Sequence, residues 1–222
     1  PLSLTKVGSG VLTLTNANTY TGPTNVNQGI LRITTAGAVA GTSIINVTAG
    51  GTFDVNAQNI STKPFSLAGA GAPGQLGALV NTGTGTEAAV GNITLTADAA
   101  MGTSGTKLNS FGAAINGGGF TLTVNGPGET NFRTANALQN FAGINVNTTG
   151  GGRLRLEGDQ GPTTPFAITV NAGSRLDSWA TRTFSSNLGV TLNGGILEAN
   201  GPAGSTATWH GPITINGAAS VV

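Results

Sequence analysis

The sequence contains no cysteine, one tyrosine and one methionine, and only 8% of its 222 residues are charged. Each shortage removes a class of protein. Without cysteine there is no disulfide framework, no thiolate nucleophile and no Cys-ligated zinc; the absence suits secretion without requiring it. The single histidine, His210, does not assemble the usual zinc centre alone. Net charge is +1 with no Lys/Arg run, so the electrostatic footprint of a nucleic-acid or anionic-membrane binder is missing. No stretch reaches the roughly 18 apolar residues of a membrane span. No charged segment followed by an apolar core opens the chain. No long window shows the 3.6-residue helical period, and Gly or Thr interrupts most candidates.

Glycine is abundant instead, at 37 residues, but without the G-X-Y period of collagen. Disorder needs low hydrophobicity with high charge; here hydrophobic residues reach 38%. Short alternating runs recur, among them "VLTLT" 11–15, "ILRI" 30–33, "TFDV" 52–55, "FTLTV" 120–124, "RLRLE" 153–157 and "AITV" 167–170. Apolar residues at every second place turn one face inward. Between runs, an apolar residue precedes Asn or a small residue, then usually Gly. That corner position falls at Asn27, Thr48, Ala68, Thr96, Asn116, Asn147, Asn171, Asn193 and Asn216, with spacings of 20 to 31 residues that average about 24. A period of this size marks a solenoid, propeller or array, and a propeller blade needs nearly twice as many residues. A sandwich would show strands without register between turns. The pattern predicts an all-β parallel β-helix of about nine or ten coils, a single β-solenoid segment over 1–222.

Gly allows the positive φ of a sharp corner, and Asn tolerates it while bonding its own turn. Stacked about 4.8 Å apart, Asn27, Asn116, Asn147, Asn171, Asn193 and Asn216 would serve either as turn residues or as an amide ladder. An aromatic precedes the corner in three copies, "YTGPTNVN", "FAGINVN" and "WHGPITIN". Tyr20, Phe141 and Trp209 therefore read as caps on the interior; the sharper reading is a carbohydrate-stacking role.

The stretch "GSGVLTLTNANTYTGPTNVNQGIL" resembles the autotransporter-associated β-strand repeat, also called the passenger-associated transport repeat. The matching residues are Gly8, Gly10, Leu12, Leu14, Asn18, Thr19, Tyr20, Thr21, Gly22, Thr24, Val26, Gly29 and Leu31. Pro23 stands where Gly is common. The resemblance covers about 30 residues, with degenerate copies at 126–156 and 209–222. It implies a right-handed parallel β-helix in a large secreted or surface protein, mostly of Gram-negative bacteria. It implies an architecture, not one activity.

Candidate chemistry is sparse. Of eight carboxylates, only Glu157 and Asp159 in "LEGD" lie close in sequence. They would suit a glycosidase acid/base pair or Ca²⁺, but no Ca²⁺-loop pattern surrounds them, and a solvated turn is the plain reading. No G-x-S-x-G elbow occurs, and "GGG" at 117–119 and 150–152 precedes no helix. No catalytic, cofactor or metal residue is assigned. Three functions remain: a non-catalytic stalk, adhesin or extracellular fibre segment; a polysaccharide-cleaving β-helix, whose cleft loops would lie near 69–92 and 126–143; and a carbohydrate-binding module using Tyr20, Trp179 or Trp209. The expected partners are neighbouring coils, identical subunits end to end, or surface glycans. The strand-like ends "PLSLTKVG" and "AASVV" predict a piece of a longer solenoid or a stacking filament subunit. Aligning corners places Leu31, Phe53, Leu154, Leu176 and Leu197 in one inward column. Arg32, Asp54, Arg155, Asp177 and Glu198 then form one solvent-facing column on the same face, with Arg32 beside Asp54 and Arg155 beside Asp177.

Overall fold

The computed structural model describes residues 1–112 and 114–222. Its strands are short and pair in parallel, and they stack as a β-solenoid of about ten turns. Each coil has three sides. Side 1 holds Leu4–Lys6, Thr24–Val26, Ile45–Val47, Phe65–Gly69, the first half of Ile93–Thr103, Ile115–Asn116 and Leu138–Gln139. Side 2 runs from Val11–Leu14, Gly29–Ile33, Gly51–Asp54 and Leu79–Asn81 through the second half of Ile93–Thr103. It continues as Thr121–Gly126, Gly143–Thr148, Phe166–Asn171, Leu188–Asn193 and Ile213–Asn216. Side 3 holds Asn59–Ile60, Ala88–Val90, Leu108–Ser110, Glu129–Phe132, Arg153–Leu156, Arg175–Trp179, Ile196–Asn200 and Ser220–Val221. Among the described residues the one helical element is a 3₁₀ turn at Ala36–Val39.

Alternation makes the core. On side 2, Leu12, Leu31, Phe53, Leu79, Met101, Val124, Val146, Val170, Leu192 and Ile215 stack in one inward column. On side 3, Leu108, Thr130, Leu154, Leu176 and Leu197 do the same. Every member of these columns between the first and last coils is buried. Each step adds one β-spacing of about 4.8 Å, so a residue is covered by its equivalents above and below.

The single column expected from the corner alignment is two columns. Leu31 and Phe53 lie on side 2, whereas Leu154, Leu176 and Leu197 lie on side 3. The long strand Ile93–Thr103 shows how the corner series misleads. Its first half pairs with Phe65–Gly69 and its second half with Leu79–Asn81 and Thr121–Gly126, so it lines two sides in one run. Asn116 stays on side 1, opposite Thr94 and Gln139. The equivalent of Asn147 one coil earlier is Asn125.

Side 1 is interrupted between Leu138–Gln139 and Arg182–Phe184, and Gln160 bridges the gap. It forms an isolated bridge to Phe184. Its side chain, 1% exposed, accepts from the Leu138 N–H at 3.2 Å and donates to the Thr134 carbonyl at 2.9 Å. A buried amide thus takes over bonds that a strand backbone would otherwise make.

Candidate functional site

Three surface features concentrate the chain's polar chemistry. The first is the corner of the N-terminal coils. Lys6 occupies an inward register position, level with Val26 and Val47. Its ammonium turns into the corner and donates to the carbonyls of Val7 (2.9 Å), Gly8 (2.6 Å) and Gln28 (3.0 Å). The residue is buried, and its charge is answered by three dipoles from two successive coils, which is how a buried ammonium is tolerated. Gly29 completes the corner at φ 68°. A Cβ there would sit 2.4 Å from the Gly8 carbonyl oxygen and 2.6 Å from that of Gly10. Tyr20 begins a second clamp. Its hydroxyl bonds Thr24 Oγ1 at 2.8 Å, Thr24 bonds Thr42 at 2.9 Å, and Thr42 donates to the Gly22 carbonyl at 2.9 Å. Burial raises the Tyr20 pKa above 10.0, and the Thr24 bond offsets part of that rise.

The second feature is an amide column on the outer face of side 2. Asn171 donates to Asn147 Oδ1 at 2.5 Å, Asn193 to Asn171 at 3.5 Å, and Asn216 to Asn193 at 3.0 Å. Asn27 and Asn116 lie outside it. Asn27 follows a side 1 strand, and its carbonyl receives the Thr48 hydroxyl at 3.4 Å. Asn116 receives Asn140 at 3.3 Å. Two further amide pairs carried no signal in the corner spacing: Asn46 to Asn25 at 2.8 Å on side 1, and buried Asn131 to Asn109 at 2.9 Å on side 3.

The third feature is the outer face of side 3, where five cations and five carboxylates gather. Lys107 meets Glu87 (3.3 Å) and Glu129 (3.4 Å), and Arg133 meets Glu157 (2.9 Å). Arg153 reaches Glu129 (3.7 Å), Asp177 (3.4 Å) and Glu198 (3.6 Å). Arg155 joins Glu129 (3.1 Å) to Asp177 (2.5 Å), and Arg175 pairs with Glu198. The middle column reads Asn109, Asn131, Arg155, Asp177, Glu198. These side chains point outward, yet they do not face solvent as expected. Asp177 is fully buried and Arg155 is 7% exposed. Longer neighbours in the flanking columns close over them: Arg153 from one side, and Trp179, stacked 4.5 Å from the Arg155 guanidinium, from the other. Asn200 adds a 2.8 Å bond to Asp177. At the edge of this network, burial raises the Glu87 pKa, but the Asn109 bond and Lys107 outweigh it and hold the carboxyl below its ordinary value.

Arg32 and Asp54 form a separate pair on side 2, at 2.7 Å. Asp54 is buried there because Thr82 closes over it, donating through its hydroxyl at 2.6 Å and its N–H at 3.1 Å. Within the stretch 69–92, one of the two expected to hold cleft loops, residues 70–78 lie against the coils: Ala72 N–H bonds Thr52, and Asn125 donates to the Leu76 carbonyl.

Glu157 and Asp159 do not act on a common point. Glu157 is held by Arg133 and Asn131, whereas Asp159 accepts the Thr183 N–H at 2.9 Å. The three motif aromatics differ in place. Phe141 is buried against Phe166 at 5.3 Å. Trp209 packs 4.1 Å from Phe184 and donates to the Leu188 carbonyl at 2.8 Å. Tyr20 is half-buried in its hydroxyl chain. Among the described residues no group of three or more His, Cys, Asp or Glu converges as a metal cluster, and no helix is long and apolar enough to cross a membrane.

Residues 4–33 match a family model described as Passenger-associated-transport-repeat. The match contains Lys6, Gly8, Gly10, Tyr20, Gly22, Thr24 and Gly29 of the two corner clamps, whereas Thr42 of the second clamp lies beyond it. No curated protein and no solved structure matches the chain. The matched residues span the strands of the first two coils.

Proposed function

We propose that this solenoid is a non-catalytic structural segment of a bacterial surface or secreted protein, a stalk of the kind that autotransporter passengers use. The repeat at 4–33 associates the chain with passenger β-helices and with export. A Gram-negative source, and adhesin or fibre roles, extend that reading. The observation that carries it is the state of the carboxylates. Six of the eight are in ion pairs, and Asp98 and Asp159 accept backbone N–H groups. A glycosidase needs two carboxyls turned toward a substrate bond. Here each is turned toward its own fold, where it fixes the register of neighbouring coils.

Ten coils at about 4.8 Å give a rod roughly 50 Å long. Pairing of its terminal strands with further coils, of a longer chain or a second copy, would lengthen that rod. Incubation with soluble polysaccharides is expected to release no reducing sugar. Turnover that Glu157→Gln or Asp159→Asn abolishes would overturn the structural reading.

A further inference from the structure

Ten large hydrophobic residues are exposed among the described residues, and eight of them belong to the first or last coil: Leu2, Val7, Val11, Leu12, Ile213, Ile215, Val221 and Val222. The other two are aromatic. Phe111 is 46% exposed and Trp179 is 39% exposed. Both lie on side 3. Phe111 directly follows Ser110, and the register Ser110–Phe132–Leu156–Ser178 puts Phe111, Arg133, Glu157 and Trp179 in one outward column. The Arg133 N–H bonds the Ser110 carbonyl and the Glu157 N–H bonds that of Phe132, so the pairing extends to this column.

Each ring is braced by a guanidinium: Arg133 lies 4.9 Å from the Phe111 centroid and Arg155 lies 4.5 Å from that of Trp179. Both arginines are also held by carboxylates, Glu157 at 2.9 Å and Asp177 at 2.5 Å. The rings are therefore fixed platforms, not loose side chains. Three coil steps separate them, about 14 Å along the axis. Between them Arg133, whose Nε is held by Glu157, presents the rest of its part-exposed guanidinium as donors.

From this column we infer a binding stripe for an extended neutral polysaccharide running parallel to the solenoid axis. A pyranose has an apolar face that stacks on an aromatic ring and a rim of hydroxyls that both donate and accept. One sugar of an extended chain advances by nearly the height of one coil, so sugars stacked on Trp179 and Phe111 leave those between over Arg133 and Glu157. Neutrality of the ligand follows from the charge count. The five cations and five carboxylates of this face pair with each other, leaving no net field to select an anion. The stripe adds a ligand to the stalk without requiring catalysis, and it stands or falls apart from the structural reading.

Affinity electrophoresis of the intact chain tests it, in native gels containing hydroxyethylcellulose, mixed-linkage β-glucan, xylan or mannan, with alginate and polygalacturonate as acidic comparators. At least one neutral polymer is expected to retard the protein, and the acidic ones are not. Trp179→Ala is expected to weaken retardation by roughly tenfold, Trp179→Phe to keep most of it, and the Phe111→Ala/Trp179→Ala pair to abolish it. Thermal melts of the variants confirm folding. No retardation by any neutral polymer, preference for the acidic ones, or equal retardation of the double variant would each overturn the stripe.

Discussion

Asp177→Ala is the most informative single substitution. Judged from sequence alone, Asp177 heads an exposed ion pair contributing about 0.2–1 kcal/mol, and its loss should matter far less than that of Leu176. The structure narrows that gap. Asp177 is fully buried and accepts Arg155 at 2.5 Å, Arg153 at 3.4 Å and Asn200 at 2.8 Å. Removing it leaves the Arg155 guanidinium, 7% exposed, with one of its two carboxylates, Glu129 at 3.1 Å. Breaking a buried pair from one side costs about 3–5 kcal/mol, an upper bound here because Glu129 still holds Arg155. Leu176→Ala leaves a cavity between Leu154 and Leu197 and costs about 2–5 kcal/mol. The two variants are therefore expected to be comparably destabilised. Urea unfolding reports this, with Trp179 as a neighbouring fluorophore. Replacing both partners, Arg155→Met with Asp177→Leu, is expected to recover part of the loss, because the groups they leave behind, Glu129 and Arg153, keep other ion pairs. An Asp177→Ala protein within about 0.5 kcal/mol of the parent would refute the shielding of this column.

Gly29→Ala is expected to destabilise the first two coils by at least about 2 kcal/mol, since the methyl meets two carbonyls in a left-handed corner; hydrogen exchange should rise first within residues 4–33. Tyr20 is the only tyrosine, so tyrosinate absorbance reads it directly. Its raised pKa means its contribution is fully present below pH 10.0 and is lost as pH climbs through the raised value, and Tyr20→Phe should remove that alkaline step. Asn171→Ala breaks its bonds to Asn147 and Asn193. At an exposed site this should cost about 1 kcal/mol, read as a small drop in urea midpoint.

The period, the parallel stacking and the inward side chains were legible in the sequence because alternation and turn chemistry are local. The phase was not. All three sides alternate with period two, so "LR" at 31–32 and "LR" at 154–155 look alike although they lie on sides 2 and 3. Two long spacings had different causes. The 28 residues from Ala68 to Thr96 contain the folded-back segment 70–78, whereas the 31 from Asn116 to Asn147 run one coil and then on to the next side. Shielding of Asp177 was hidden for another reason. Its cover comes from Arg153 and Asn200, 24 and 23 residues away, and only stacking brings them together. Gln160 left no trace in the pattern because it replaces a strand with a side chain.

The three-sided register supports every surface described above, and the absence of cysteine allows it to be tested without background. Paired cysteines can be introduced and treated with a bifunctional thiosulfonate short enough to link only adjacent coils, about 4.8 Å apart. Asn125→Cys with Asn147→Cys, and Asn116→Cys with Gln139→Cys, are expected to cross-link in the folded protein, because each pair is in register on one side. Asn116→Cys with Asn147→Cys is expected to remain unlinked. Efficient linking of Asn116 to Asn147, with none between Asn125 and Asn147, would contradict the account.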